Sequence, residues 1–284
     1  MNDVNKVPAS AGAQWLLDGF ATLRKAPLGL GLLGVIYGAL ALAASLTVSK
    51  PGVFLALEVL MLLLGPLLMG GFVFAVRSVE EGGAAVPAHL LEGFQHGRAG
   101  RLLATLLPNI AALVLCVLLL FVMVGPAALT EMAQAVEQAG TQASPDPALF
   151  ASLPLGRLML WLVMVVLIGI TASFFTFVAI PEIMFGPTGA FAAMGRSFRA
   201  CVRNLPALIV FLVLAFIAIV AIYIVVMIVG VVVKLVAGEM AMQVVTQLLA
   251  LAVLMPVLIG SIYSAWRQML AGSAASPVSA GIEA

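Results

Sequence analysis

One carboxylate stands where a carboxylate is expensive. Glu58 lies inside the apolar run 53–76, and a charged side chain in hydrocarbon is disfavoured strongly enough that it marks a functional site by default. A proton or substrate role is one reading. The other is interfacial: Glu58 is about five residues, some 8 Å, from the outer end of its helix, where water or Lys50 reaches it. Glu182 follows Pro181 at the end of another apolar run. It is expected at the cytoplasmic surface, within reach of Arg196 or Arg199, either as an ion pair that organises a loop or as a proton or cation site walled by Phe174, Phe175 and Phe177.

His89, Glu92 and His96 fall at i, i+3 and i+7 and would share a helical face. Two imidazoles and a carboxylate suit Zn²⁺ or Fe²⁺, but two helical turns, about 10.5 Å, is long for one ion. The bland reading is the wet face of an interfacial helix, and no metal is expected. Arg196, Arg199 and Arg203 share one side of 191–205, opposite Phe191, Met194, Phe198, Cys201, Val202 and Leu205. Such a basic amphipathic helix could hold anionic lipid headgroups or an acidic partner, or simply fix topology. No paired nucleophile and base, phosphate-cradling loop or nucleic-acid motif is present, so neither an enzyme, a cofactor nor a nucleic-acid partner is expected.

The elements carrying these residues are set by composition. Of 284 residues, 64% are hydrophobic and 9% charged, with a net charge of +1 and a mean hydropathy of +1.23. A soluble domain carries about 25% charge, which excludes that class. Six runs reach the roughly 20 residues needed to cross a bilayer: 28–48, 53–76, 102–125, 158–180, 206–233 and 244–266, with Glu58 the one charge inside them. The expected fold is all-α and polytopic, six transmembrane helices in three hairpins, with short amphipathic interfacial helices on the cytoplasmic side.

Lys6, Arg24, Lys25, Arg77, Arg98, Arg101, Arg196, Arg199, Arg203 and Arg267 fall on one side of these spans; Lys50, Arg157 and Lys234 fall on the other. That asymmetry places both termini in the cytoplasm and the 126–154 loop outside. The chain then divides into a cytoplasmic segment 1–27 with an interfacial helix, a membrane domain 28–268 and a disordered cytoplasmic tail 269–284. In 13–25, Trp15, Leu16, Phe20 and Leu23 form an apolar stripe, with Trp15 expected as an interface anchor. Cys116 and Cys201 are expected as packing residues on different levels of the bundle.

Prolines punctuate the spans. Pro27, Pro108 and Pro206 open the odd spans, while Pro66, Pro181 and Pro256 lie in the even ones. Gly65, Pro66, Pro181 and Pro256 are candidate hinges, and the Gly65-Pro66 span is the one expected to kink, with Gly70-Gly71 admitting a neighbouring helix. Gly34 and Gly38 form a GxxxG surface for packing within the chain or between copies. Leu129, Met132 and Val136 suggest an amphipathic helix in the outer loop, ahead of the turn-rich Ser144-Pro145-Asp146-Pro147.

Three stretches carry a family likeness: Lys6-Val7-Pro8 with Trp15, Gly65-Pro66-Leu67-Leu68-Met69-Gly70-Gly71 running to Arg77-Ser78-Val79-Glu80, and Ala193-Met194-Gly195-Arg196-Ser197-Phe198-Arg199-Ala200-Cys201-Val202-Arg203-Asn204. On these the chain resembles an uncharacterised family of proteobacterial multi-pass inner-membrane proteins. The resemblance implies an inner-membrane location and about six helices, and brings no activity with it. The function expected is a membrane scaffold or adaptor that binds anionic membrane lipid, a partner protein or a second copy; the alternative is a transporter or channel for a small or lipid-like solute.

Overall fold

A computed structural model describes residues 4–141 and 154–271. Among them the chain is helical, without a strand: α1 (Ala11–Lys25), α2 (Pro27–Ser45), α3 (Pro51–Glu80), a 3-10 helix (Pro87–Phe94), α4 (Ala99–Leu103), α5 (Leu107–Val124), α6 (Pro126–Thr141), α7 (Leu155–Thr176), α8 (Ala179–Phe185), α9 (Ala190–Arg203) and α10 (Leu205–Met269). Among the described residues five stretches are long and apolar enough to cross a membrane: Pro27–Ser45, Pro51–Glu80, Ala99–Val124, Leu155–Phe185 and Leu205–Met269.

The last of these has 65 residues, about 98 Å of helix if straight and some three times the hydrocarbon thickness. It is not straight. Gly238 has φ 85° and ψ 179°, a backbone region open essentially only to glycine. Val226 clusters with Ala250 and Leu254, and a Cβ on Gly230 would lie 2.3 Å from Thr246 Cγ2. The two legs therefore pack on each other, and Lys234 pairs with Glu239 across the break.

The described residues form two compact units. The first takes in the described residues up to Leu106 and from Phe175 onward; the second is Leu107–Phe174. In the first unit the buried core gathers at one end of the long helices. α3 is buried at Pro66, Leu67, Leu68, Phe72, Val73, Ala75, Val76 and Val79, whereas Leu55 and Leu62 before Pro66 are 64% and 52% exposed. Apolar surface on this scale requires lipid or another apolar surface against it.

α1 wedges into this core. Cβ atoms added to Gly12 and Gly19 would meet Ala207 O at 2.0 Å and Val257 O at 2.2 Å, so α1 crosses both legs of α10 backbone against backbone. Trp15 is 0% exposed, packs on Phe177 and Phe211 and donates from Nε1 to Gln268 Oε1 at 3.0 Å. The expectation of an interface anchor is corrected here. The apolar stripe finds protein rather than headgroups, because glycines at 12 and 19 let the helix approach closely enough to bury it.

Glycines settle two further packings. Gly70-Gly71 does admit a neighbour, but it is the 3-10 helix: Cβ atoms on Gly71 and Gly93 would meet His89 O at 2.4 Å and Leu67 O at 2.0 Å. The GxxxG of α2 is used within the chain, with a Cβ on Gly34 falling 2.3 Å from Leu251 O.

The expected hinge prolines all lie within helices. Pro66 and Pro256 lie inside continuous helix, and the non-helical residue lies instead at Gly238. Pro181 does not end α7; that helix stops at Thr176, and Pro181 sits in the first turn of α8. The reason is steric. A proline ring clashes with the carbonyl four residues earlier, here Phe177, but is tolerated in a first turn whose N–H groups have no helical acceptor.

In the second unit, Trp161 Nε1 donates to Cys116 O at 2.9 Å, joining α7 to α5. α6 supplies the helix expected from Leu129, Met132 and Val136; Ser144-Pro145-Asp146-Pro147 lies outside the described residues. So does most of the expected tail, although Met269 and Leu270, where it was to begin, are each 1% exposed and belong to the core.

Candidate lipid- and partner-binding face

The short loop after Thr176 sets up the first cluster. The Val178 N–H donates to Ser197 Oγ at 3.1 Å, pinning α8 to α9. Glu182, one turn on, is 3% exposed rather than at the surface as expected. Its Oε1 accepts from Arg196 Nη1 and from Thr188 Oγ1 at 3.2 Å, and its Oε2 accepts from Trp266 Nε1 at 2.8 Å. Arg101 Nη1 donates to Thr188 O at 3.4 Å, closing the loop from below. Each carboxylate oxygen is thus engaged, which suits a buried organising pair. Phe175 and Phe177 do not supply the expected wall: Phe175 stacks on Phe198 and Phe177 on Trp15 and Phe211. The rings beside Trp266 are Phe185 and Tyr263.

α9 forms over nearly the predicted range, but turned about its axis. It buries Ala190, Ala193, Met194, Ser197, Ala200 and Cys201, so Met194 and Cys201 of the expected stripe face the core together with small residues, while others of that stripe do not. Phe191 and Val202 are 73% and 53% exposed. Arg199 and Arg203 are exposed as well, and at i+8, i+11 and i+12 from Phe191 the residues Arg199, Val202 and Arg203 continue the same face. Of the three arginines, Arg196 is drawn inward by Glu182 and the other two remain on the surface.

Asn204 adds a third cation that its own neighbourhood does not suggest. It is 1% exposed; its Oδ1 accepts from the Val7 N–H at 2.7 Å, and its Nδ2 donates to Asn5 O at 2.9 Å and Ala200 O at 3.0 Å. Asn5 is held further by donation of its N–H to Met269 O at 2.9 Å. The chain around Lys6 is therefore strapped to the end of α9, and exposed Lys6 joins Arg199 and Arg203. Sequence reasoning quoted both Lys6-Val7-Pro8 and Arg203-Asn204 without pairing them; a buried-type Asn between an arginine and a helix-opening proline was the available signal.

Cys201, one residue before the exposed Val202, is 1% exposed. Burial pushes its thiol up to about 12, with a hydrogen bond from Ser197 opposing. It stays a neutral packing group, as expected. Glu58 is exposed and stands twelve residues before Gly70, whose added Cβ would be 3.0 Å from Met184 Sδ; at 1.5 Å per residue it is about 18 Å up α3 from the level of Glu182. The two acids are not brought together.

The His89, Glu92 and His96 face is not formed. The segment is a 3-10 helix ending at Phe94, with three residues per turn instead of 3.6, and His96 lies beyond it with φ 56°. His89 packs edge-on to Phe74, while Glu92 lies 3.9 Å from both His96 Nδ1 and Arg98 Nη1. Among the described residues no group of three His, Cys, Asp or Glu could hold a metal ion.

No known family model, functionally described protein or solved structure matches the chain. The site has to be read from its own chemistry.

Proposed function

We propose that the protein is a non-enzymatic scaffold of the bacterial inner membrane, crossing it six times with both termini in the cytoplasm, whose cytoplasmic face holds anionic lipid headgroups. The break at Gly238 divides α10 into two crossings, and the Lys and Arg asymmetry orients them. The observation that carries the reading is the exposed strip Phe191, Arg199, Val202 and Arg203, with Lys6 strapped beside it by Asn204. Cations beside apolar side chains match a surface where phosphates lie next to acyl chains.

Each such cation contributes about 1 kcal/mol near an anionic leaflet. Replacing Arg199 and Arg203 by Gln should then weaken retention of phosphatidylglycerol about 30-fold, read by native mass spectrometry of protein released from mixed phosphatidylglycerol and phosphatidylcholine nanodiscs. Unchanged retention would sink the proposal. A solute flux in proteoliposomes abolished by Glu58→Gln would replace it with the transport alternative.

A further inference from the structure

A polar cavity of about 350 Å³ opens where α1, the end of α3 and the end of α10 meet, lined by Asp18, Thr22, Lys25, Glu80, Arg267 and Ser264 among others. Its charged groups come from three elements far apart in the chain. The close crossing of α1 and α10 brings them together: a Cβ on Gly260 would lie 3.0 Å from Gly19 Cα, which sets Asp18 beside Ser264.

The two carboxylates are anchored but not saturated. Asp18 accepts from Gln14 Nε2 at 2.7 Å and from Ser264 Oγ. Glu80 accepts from Thr22 Oγ1 at 2.6 Å and from Lys25 Nζ at 2.8 Å. One donor per oxygen is used, and an ionised carboxylate offers about four acceptor positions. Arg267 differs. Its guanidinium lies 5.9 Å from the Tyr263 ring centroid; its charge reaches Glu80, but among the described residues it makes no ion pair or hydrogen bond within contact distance. A fork of five donors is thus left facing polar space.

Two acids and two bases make this pocket neutral overall. A neutral ligand that carries both signs keeps the balance, whereas an anion or a cation alone does not. The volume lies at the lower end of small-molecule sites, enough for a headgroup and too small for acyl chains. The acids require a cation with N–H donors, which a primary ammonium has and a trimethylammonium lacks. The guanidinium requires a planar or tetrahedral oxyanion, and bidentate contact with phosphate is its preferred geometry.

We infer that this cavity binds a phosphoethanolamine group, its ammonium at Asp18 and Glu80 and its phosphate at Arg267 and Lys25. The site is separate from the Arg199 and Arg203 strip and does not rest on it. The group has two sources, the headgroup of phosphatidylethanolamine or free phosphoethanolamine.

The test uses the full-length protein. In nanodiscs containing equal phosphatidylethanolamine, phosphatidylcholine and phosphatidylglycerol, native mass spectrometry should show phosphatidylethanolamine retained preferentially. Arg267→Gln, at an exposed position that gives up no ion pair or side-chain hydrogen bond within contact distance, should lower that retention at least tenfold, as should Asp18→Asn. Arg199→Gln with Arg203→Gln should leave it intact, which separates failure here from failure of the scaffold reading. Free phosphoethanolamine titrated into the detergent-solubilised protein distinguishes the sources: a rise in melting temperature lost in Arg267→Gln assigns a soluble ligand, and no rise beside preferential lipid retention assigns the lipid. Equal retention of the three lipids together with no response to free phosphoethanolamine, or a preference untouched by Arg267→Gln, would overturn the inference.

Discussion

At the scale of single residues, the buried pair of Glu182 and Arg196 has the largest expected effect. Glu182 is 3% exposed and the Arg196 side chain 18%, so their attraction acts in a poorly screened environment and removing one charge leaves the other desolvated. Glu182→Gln keeps the shape and a hydrogen-bond acceptor for Trp266 but removes the negative charge. It should destabilise the protein by about 3 kcal/mol, measured as the shift in the SDS-induced unfolding midpoint. Arg196→Met in the same background should cost less than the sum of the two single changes, because the uncompensated charge is gone. A Glu182→Gln variant as stable as the parent would show that the pair organises nothing. The same reasoning separates Glu182 from Glu58, whose exposed position on α3 leaves no buried counter-charge to strand.

At the scale of elements, the first unit joins close backbone contact at glycines to buried large side chains such as Trp15, Phe72 and Leu102. Gly19 sits at the crossing of α1 and α10 with Val257 O 2.2 Å from its would-be Cβ, and an interhelical carbonyl cannot move aside as a flexible side chain does. Gly19→Ala should therefore destabilise the protein, by about 1–3 kcal/mol as for other overpacked sites, and should release Trp15 to solvent. Gly169→Ala, in α7 with nothing within 4 Å, should be neutral or stabilising by up to about 1 kcal/mol through helix propensity. Melting curves and Trp emission of the two variants check both. If Gly19→Ala melts like the parent, α1 is not wedged as described.

This element scale is also where the sequence was only half legible. Apolar runs of about 20 residues reveal spans because hydrocarbon offers no hydrogen-bond partner, so the backbone is satisfied within the helix and the side chains around it are apolar, and the basic α9 appeared from its 100° periodicity. Periodicity reports that a stripe exists but not what covers it, so Trp15 read as an interface anchor although Phe177, Phe211 and Gln268 enclose it. For the same reason Phe191 and Val202 were placed on the buried side of α9, where Met194 and Cys201 do lie, beside Ala193, Ser197 and Ala200. Asn204 gripping the chain around Lys6, and Asp18 meeting Ser264, join positions separated by 197 and 246 residues. No local pattern encodes such contacts; they follow from which helices cross.

At the scale of the whole molecule, the crossing count turns on one residue. If α10 were a single crossing, the chain would pass the membrane five times and its ends would lie on opposite sides. A doubling back at Gly238 that crosses the membrane with each leg would give the proposed six crossings and put both ends on one side, in line with the positions of Lys and Arg. With both native cysteines replaced by Ser, single cysteines at Gly82, Gly238 and Ala271 decide between these. A membrane-impermeant maleimide applied to intact spheroplasts should label position 238 alone, and should label 82 and 271 only after permeabilisation. Exposure favours clean labelling at the turn, where Leu235 and Val236 are 82% and 85% exposed and a Cβ on Gly238 meets nothing within 4 Å. Its positive φ makes the cysteine there strained, so Lys234→Cys serves as the second reporter of the same loop. Labelling of 271 from outside without permeabilisation, with 82 protected, would establish five crossings and place Arg267 on the opposite face from Lys25 and Glu80, which would rule out the cavity they share.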